Sequence, residues 1–83
     1  MDNNPAVCIP YNNHLVKKCL YHNFNKFGCV KNIQIYENKA FIYFNYWYLE
    51  SPVVQNIINR FENNLHINIV YNFPLFWKCY KKR

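Results

Sequence analysis

Apolar and polar positions alternate along this chain with two different periods, and the changes of period mark its elements. Residues 6–10 (Ala-Val-Cys-Ile-Pro) read as a short strand, stopped by Pro10 and the turn-prone Tyr11-Asn12-Asn13. Leu15, Val16, Cys19, Leu20, Phe24 and Phe27 then recur at helical spacing. They predict a helix over about 14–25, with Asn13 as N-cap and Gly28 as C-terminal stop. Residues 30–36 and 39–49 are rich in β-branched and aromatic side chains and flank Glu37-Asn38, which predicts a hairpin. A two-residue turn pairs Tyr36 with Lys39, Gln34 with Phe41 and Asn32 with Tyr43 on one face. The other face pairs Ile35 with Ala40 and Ile33 with Ile42. A one-residue slip would mix the polar-aromatic side with the aliphatic side, so the pattern selects this register. Ser51-Pro52 opens a second helix with Val54, Ile57, Ile58 and Phe61 as its apolar stripe, and Asn63-Asn64 ends it. Residues 65–71 read as a last strand, with Ile67 and Ile69 inward and His66 and Asn68 outward.

The order β-α-β-β-α-β predicts an α+β, ferredoxin-like sandwich: a four-stranded antiparallel sheet with two helices on one face. With 83 residues the chain has room for one core, so residues 1–83 are read as a single domain. Residues 1–5 are its flexible start, and residues 72–83 are an aromatic and basic C-terminal tail. That tail holds Phe73, Leu75, Phe76, Trp77 and Tyr80, too many apolar residues for an ordinary solvated end. Two placements stay open: across the uncovered sheet face, closing it over Phe41 and Tyr43, or along the edge of the core, with Pro74 turning the chain. Trp47 and Tyr48 are read as core and helix-start packing.

Two helices bury one sheet face. By alternation the other carries Cys8 and Pro10, Asn32, Gln34 and Tyr36, Lys39, Phe41, Tyr43 and Asn45, and His66 and Asn68. Aromatic rings among amides and a lysine suit bases that stack while amides reach their edges. The same rings serve protein contacts equally well.

Charge changes the weighting. Ten Lys+Arg against four Asp+Glu give a net charge of +6, which favours nucleic acid or an anionic surface as partner. No stretch approaches the roughly 20 apolar residues of a membrane span, and neither helix has a dense basic face beside bulky apolar residues, so no membrane partner is expected. The start Met1-Asp2-Asn3-Asn4 lacks the basic and apolar regions of a signal peptide, so an intracellular location with reduced cysteines is expected. Cys19 and His22, one helical turn apart, with Cys29 beyond, lack a fourth ligand at structural-zinc spacing, and Cys19 falls on the apolar stripe; buried thiols and no metal are expected.

Catalytic chemistry finds no foothold. Ser51 is explained as an N-cap, the acids Asp2, Glu37, Glu50 and Glu62 are scattered, and the single glycine, Gly28, rules out a glycine-rich phosphate loop. His14, His22 and His66 lack a recognisable nucleophile or acid partner. The expectation is a protein without enzymatic activity, cofactor or small-molecule substrate.

Lys39-Ala40-Phe41-Ile42-Tyr43-Phe44-Asn45-Tyr46 resembles the octamer of the RNA recognition motif, with Lys39 at its basic first position and Phe41 and Tyr43 at its two exposed stacking positions. Val7-Cys8-Ile9-Pro10-Tyr11-Asn12 resembles the hexamer, except that Cys8 stands where the family usually stacks a ring. Ala40 and Ile42 also replace residues that are usually Gly or Gly/Ala. A closer likeness is to the small RNA-recognition-motif-like proteins of giant, nucleocytoplasmic large DNA viruses. It rests on Phe41-Ile42-Tyr43-Phe44 with Trp47 and on the ending Ile67-Asn68-Ile69-Val70-Tyr71-Asn72-Phe73-Pro74-Leu75-Phe76-Trp77-Lys78. The bias towards asparagine and isoleucine suits an A+T-rich genome of that kind. The resemblance implies a viral protein of the infected host cell, in cytoplasm or virion, that binds RNA on its sheet.

Two functional readings result. In the first the chain binds single-stranded RNA, or single-stranded DNA by the same means. Phe41 and Tyr43 stack bases beside Tyr36; Asn32, Gln34, Asn45 and Asn68 offer hydrogen bonds; and Lys39, Lys81, Lys82 and Arg83 meet phosphates. In the second it is a protein-interaction module of a viral assembly or ribonucleoprotein, with a protein partner or a homodimer formed through the sheet face or the tail.

Overall fold

A computed structural model describes residues 4–10, 12 and 15–83. The chain forms β1 (Val7–Ile9), α1 (Lys17–Phe24), β2 (Gly28–Tyr36), β3 (Lys39–Trp47), α2 (Pro52–Glu62), β4 (Ile67–Asn72) and β5 (Leu75–Lys81). The fold is α+β, with one five-stranded sheet in the order β2-β3-β1-β5-β4 and every neighbouring pair antiparallel.

The expectation of four strands is therefore corrected. The aromatic tail neither crosses the open face nor lies along an edge; most of it is β5, an internal strand between β1 and β4. It pairs Val7 with Lys81 and Cys8 with Tyr80 on one side, and Ile67 with Cys79 and Ile69 with Trp77 on the other. The physical reason is alternation: Trp77 and Cys79 are fully buried, whereas Phe76, Lys78 and Tyr80 are exposed. A strand of that pattern satisfies its own backbone groups and those of β1 while burying the largest side chain in the tail. β4 is displaced to the edge of the sheet, where it runs antiparallel to β5 and does not touch β1.

One contiguous core joins the sheet to both helices. Val7, Ile9, Ile33, Ala40, Ile42, Ile67, Ile69, Trp77 and Cys79 face Leu20 and Phe24 of α1 and Val54, Ile57 and Phe61 of α2. Each fully buried aliphatic or Phe side chain contributes about 1.5–3 kcal/mol relative to exposure. Trp77 lies stacked against Tyr71 (ring centroids 4.3 Å) and Phe24 (6.1 Å), and Trp47 stacks on Phe44 at 4.0 Å.

α2 starts as expected: the Ser51 hydroxyl accepts from Val54 N–H at 3.5 Å, and Pro52 occupies the first turn. It ends in a Schellman arrangement, in which Asn64 takes φ 59 and Leu65 N–H donates to the Arg60 carbonyl at 2.8 Å. α1 is shorter than predicted; the proposed N-cap Asn13 and neighbouring His14 lie outside the described residues. Gly28 is not the left-handed stop of α1. It opens β2 opposite Trp47, and a Cβ there would stand 2.5 Å from the Tyr46 carbonyl oxygen. Close backbone approach, rather than a positive φ, requires glycine at this position. Among the described residues no helix is long and apolar enough to cross a membrane.

Candidate nucleic-acid interface

The β2–β3 hairpin has the register its pattern selects: Asn32 faces Tyr43, Gln34 faces Phe41 and Tyr36 faces Lys39. Directly opposed residues share a sheet face, so these six side chains meet on the side away from the helices. Ile33 and Ile42 pair on the buried side, as do Ile35 and Ala40, although Ile35 near the hairpin end remains 38% exposed. Phe41 and Tyr43 are half-buried, and Tyr36 is 66% exposed at the hairpin end. Register shifts between Cys29 and Asn32 interrupt the ladder beyond Tyr43. There the Asn45 side chain donates to Cys29 Sγ at 3.6 Å, and the Asn45 backbone carbonyl accepts from Asn4 Nδ2 at 2.9 Å.

β5 completes this face in a way the sequence reading missed. Cys8 of β1 is opposed by Phe41 on one side and by Tyr80 on the other, so a small thiol lies between two aromatic residues. The His66 ring lies 5.6 Å from that of Tyr80 and extends the row outward. Lys78 opposes Asn68 on the same face. The Lys82 ammonium lies 5.9 Å from the centroid of the Phe41 ring, and Lys82 N–H donates to the Ala6 carbonyl at 2.8 Å. Cys8, Pro10, Phe41, Tyr80, Lys81, Lys82 and Arg83 surround a shallow cavity of about 520 Å³. Tyr80 and Lys78 were legible only as the alternation of Phe76, Lys78 and Tyr80 against Trp77 and Cys79 after the Phe73-Pro74 turn.

Three of the predicted contacts are placed differently from the others. Lys81 opposes Val7, so its side chain leaves on the helix-covered side of the sheet. The Arg83 guanidinium donates to Asn64 Oδ1 at 2.7 Å, which ties the chain end to the α2–β4 turn. With β1 and β5 between β3 and β4, Asn68 stands three strands from Phe41, roughly 14 Å.

Charge on the open face is of one sign. Lys39, Lys78 and Lys82 lie there, whereas the described side-chain carboxylates Glu37, Glu50 and Glu62 occupy the hairpin turn, the approach to α2 and its last residue. Burial raises the Cys8 thiol above its ordinary pKa, while the Lys39 and Lys82 ammoniums pull it partly back. Cys79, behind the face, is raised much further by burial, with a smaller push from Cys8. All four cysteines are unbridged, and among the described residues no three His, Cys, Asp or Glu side chains gather to hold a metal ion.

Taken together, these positions offer flat apolar rings, amide donors and acceptors, and ammonium groups on one surface. No protein-family model, curated protein or solved structure matches the chain.

Proposed function

We propose that this chain is a non-enzymatic module that binds single-stranded RNA, and single-stranded DNA by the same contacts, on its open sheet face. The observation that carries the reading is the row of exposed and half-buried rings at Tyr43, Phe41 and Tyr80 beside Lys39, Lys78 and Lys82. Stacking contributes about 1–3 kcal/mol per base, so three rings supply roughly 3–9 kcal/mol. Micromolar binding corresponds to about 8 kcal/mol, near the top of that range, and the lysines add to whatever stacking supplies. Three phosphate contacts give a slope of about −2 in log K against log salt.

The finer structural relationship belongs to the same proposal. β1, α1, β2 and β3 follow the ferredoxin-like order, and β5 takes the place beside β1 that the fourth strand has in the RNA recognition motif. The likeness to giant-virus proteins rests on residues 41–44, Trp47 and residues 67–78 and is proposed on those alone. Fluorescence-anisotropy titration with short single-stranded RNA and DNA at two salt concentrations tests the function, using wild type beside Phe41→Ala/Tyr43→Ala. Micromolar binding that persists at moderate salt and drops at least tenfold in the double variant supports it. Binding that ignores the double substitution refutes it.

A second reading is favoured by the β4–β5 hairpin end, where Phe73 is 87% exposed and Val70, Leu75 and Phe76 are each about half exposed. In that reading the module binds a protein partner, or a second copy of itself, through this apolar tip. Its signature is a concentration-dependent mass in solution that Phe73→Ser/Phe76→Ser abolishes.

A further inference from the structure

The centre of the open face holds a gap. Cys8 presents a short side chain on β1, directly between Phe41 on β3 and Tyr80 on β5. Neighbouring strands are about 4.8 Å apart, so the residues that carry the two rings stand roughly 10 Å apart across the thiol. Aromatic rings stack at centroid separations from about 4.5 Å, and two such steps span about 9–10 Å. One flat ring therefore fits between Phe41 and Tyr80. The cavity there has about 520 Å³ and is lined by Phe41, Tyr80, Cys8, Pro10 and residues 81–83. The Lys82 ammonium lies over the Phe41 ring, 5.9 Å from its centroid, and donates to the Arg83 carbonyl at 3.5 Å.

We infer that this gap is a slot for a single nucleobase, which enters between Phe41 and Tyr80 over the Cys8 floor while Lys82 takes the adjoining phosphate. The inference rests on the nucleic-acid reading and goes beyond it. A platform stacks bases on top of its rings, whereas a slot holds one base between two of them and depends on a small residue at position 8. Tyr80 and Cys8 thereby become binding determinants. The two readings respond in opposite directions to one substitution: a ring added at Cys8 enlarges a platform but fills a slot.

The test titrates labelled octamers of uridylate and of thymidylate against wild type, Tyr80→Ala and Cys8→Phe, with circular dichroism confirming the fold. The slot predicts that each variant loses about tenfold or more in affinity, within the range of one stacked base. A Cys8→Phe protein that binds as well as or better than wild type, while Phe41→Ala/Tyr43→Ala still abolishes binding, overturns the slot and leaves the platform standing. Failure of wild type to bind either octamer overturns both. Equal loss with uridylate and thymidylate assigns the slot to the base and phosphate alone; a loss confined to uridylate assigns it to RNA.

Wild-type protein supplies a second readout that needs no substituted chain. Cys8 is half-buried on the open face, whereas Cys19 belongs to α1 and Cys29 to the opposite end of the hairpin. Saturating octamer is expected to slow iodoacetamide modification of Cys8 at least fivefold relative to Cys19, as read by peptide mass spectrometry. An unchanged Cys8 rate in the bound protein overturns the slot.

Discussion

Trp77 tests whether β5 is an integral strand, on which the position of Tyr80 depends. Its side chain is fully buried, stacked on Tyr71 and Phe24, and its indole Nε1–H has no hydrogen-bond partner among the described residues. Truncating a buried aromatic to alanine costs about 3–5 kcal/mol. At about 0.05–0.15 kcal/mol per residue, a chain of this length has a total stability of roughly 4–12 kcal/mol. Trp77→Ala is therefore expected to remove a quarter or more of the stability and to leave a weak variant partly unfolded at 37 °C. Trp77→Phe behaves differently. It loses part of the buried ring area, but it also removes a buried donor whose lack of a partner costs about 1–3 kcal/mol. The two contributions oppose each other, so Trp77→Phe should lie within about 1 kcal/mol of wild type. Urea unfolding followed by far-UV circular dichroism measures both, because that signal does not depend on the tryptophan replaced. A Trp77→Ala loss below about 1 kcal/mol would refute the reasoning, since it would mean that β5 hardly contributes to the core. The placement of Tyr80 beside Cys8 would fall with it.

Gly28→Ala should destabilise by about 1–3 kcal/mol or more, because the added Cβ meets backbone atoms that cannot rotate away; thermal unfolding checks it. Glu37 holds φ 55 in the β2–β3 turn, so Glu37→Gly should raise stability by about 1 kcal/mol in the same assay, while Glu37→Val should lower it. Cys79 gives a pH dependence of definite sign. Its folded pKa lies far above the ordinary thiol value of 9.0, so above that pH the unfolded chain loses a proton that the folded chain keeps. The stabilisation is complete below pH 9.0 and declines above it, by about 1.4 kcal/mol per pH unit from this group. The decline should be shallower in Cys79→Ala, compared by urea titration between pH 8.5 and 10.

Local periodicity made several parts of this protein legible. The hairpin register could be read because Asn32, Gln34, Tyr36, Lys39, Phe41 and Tyr43 sort against Ile33, Ile35, Ala40 and Ile42, and a slip of one residue would exchange the two sets. The start of α2 could be read because Ser51-Pro52 meets the needs of a helix N-terminus within four residues. Both are problems of neighbours along the chain or across a two-residue turn.

The order of strands is a problem of a different kind. Whether Leu75–Lys81 covers the sheet, trails in solvent or pairs with β1 depends on a partner more than seventy residues away. Composition marked those residues as too apolar for a free end but did not select their partner. Tertiary structure selects β1 because its free side offers unpaired backbone groups next to a core that Trp77 and Cys79 complete. The same non-local choice moves β4 outward, turns Lys81 away from the open face and places Tyr80 beside Cys8. It also gives Gly28 its reason, since the approach of β2 to Tyr46 and Trp47 arises only in the assembled hairpin. The sequence by itself determined the β2–β3 hairpin, α2 and the apolar faces of the elements it marked, because those properties have periods of two and 3.6 residues, but it did not mark the tail as a strand. Only the tertiary structure decided which strands are neighbours, because pairing depends on what the rest of the sheet leaves unsatisfied.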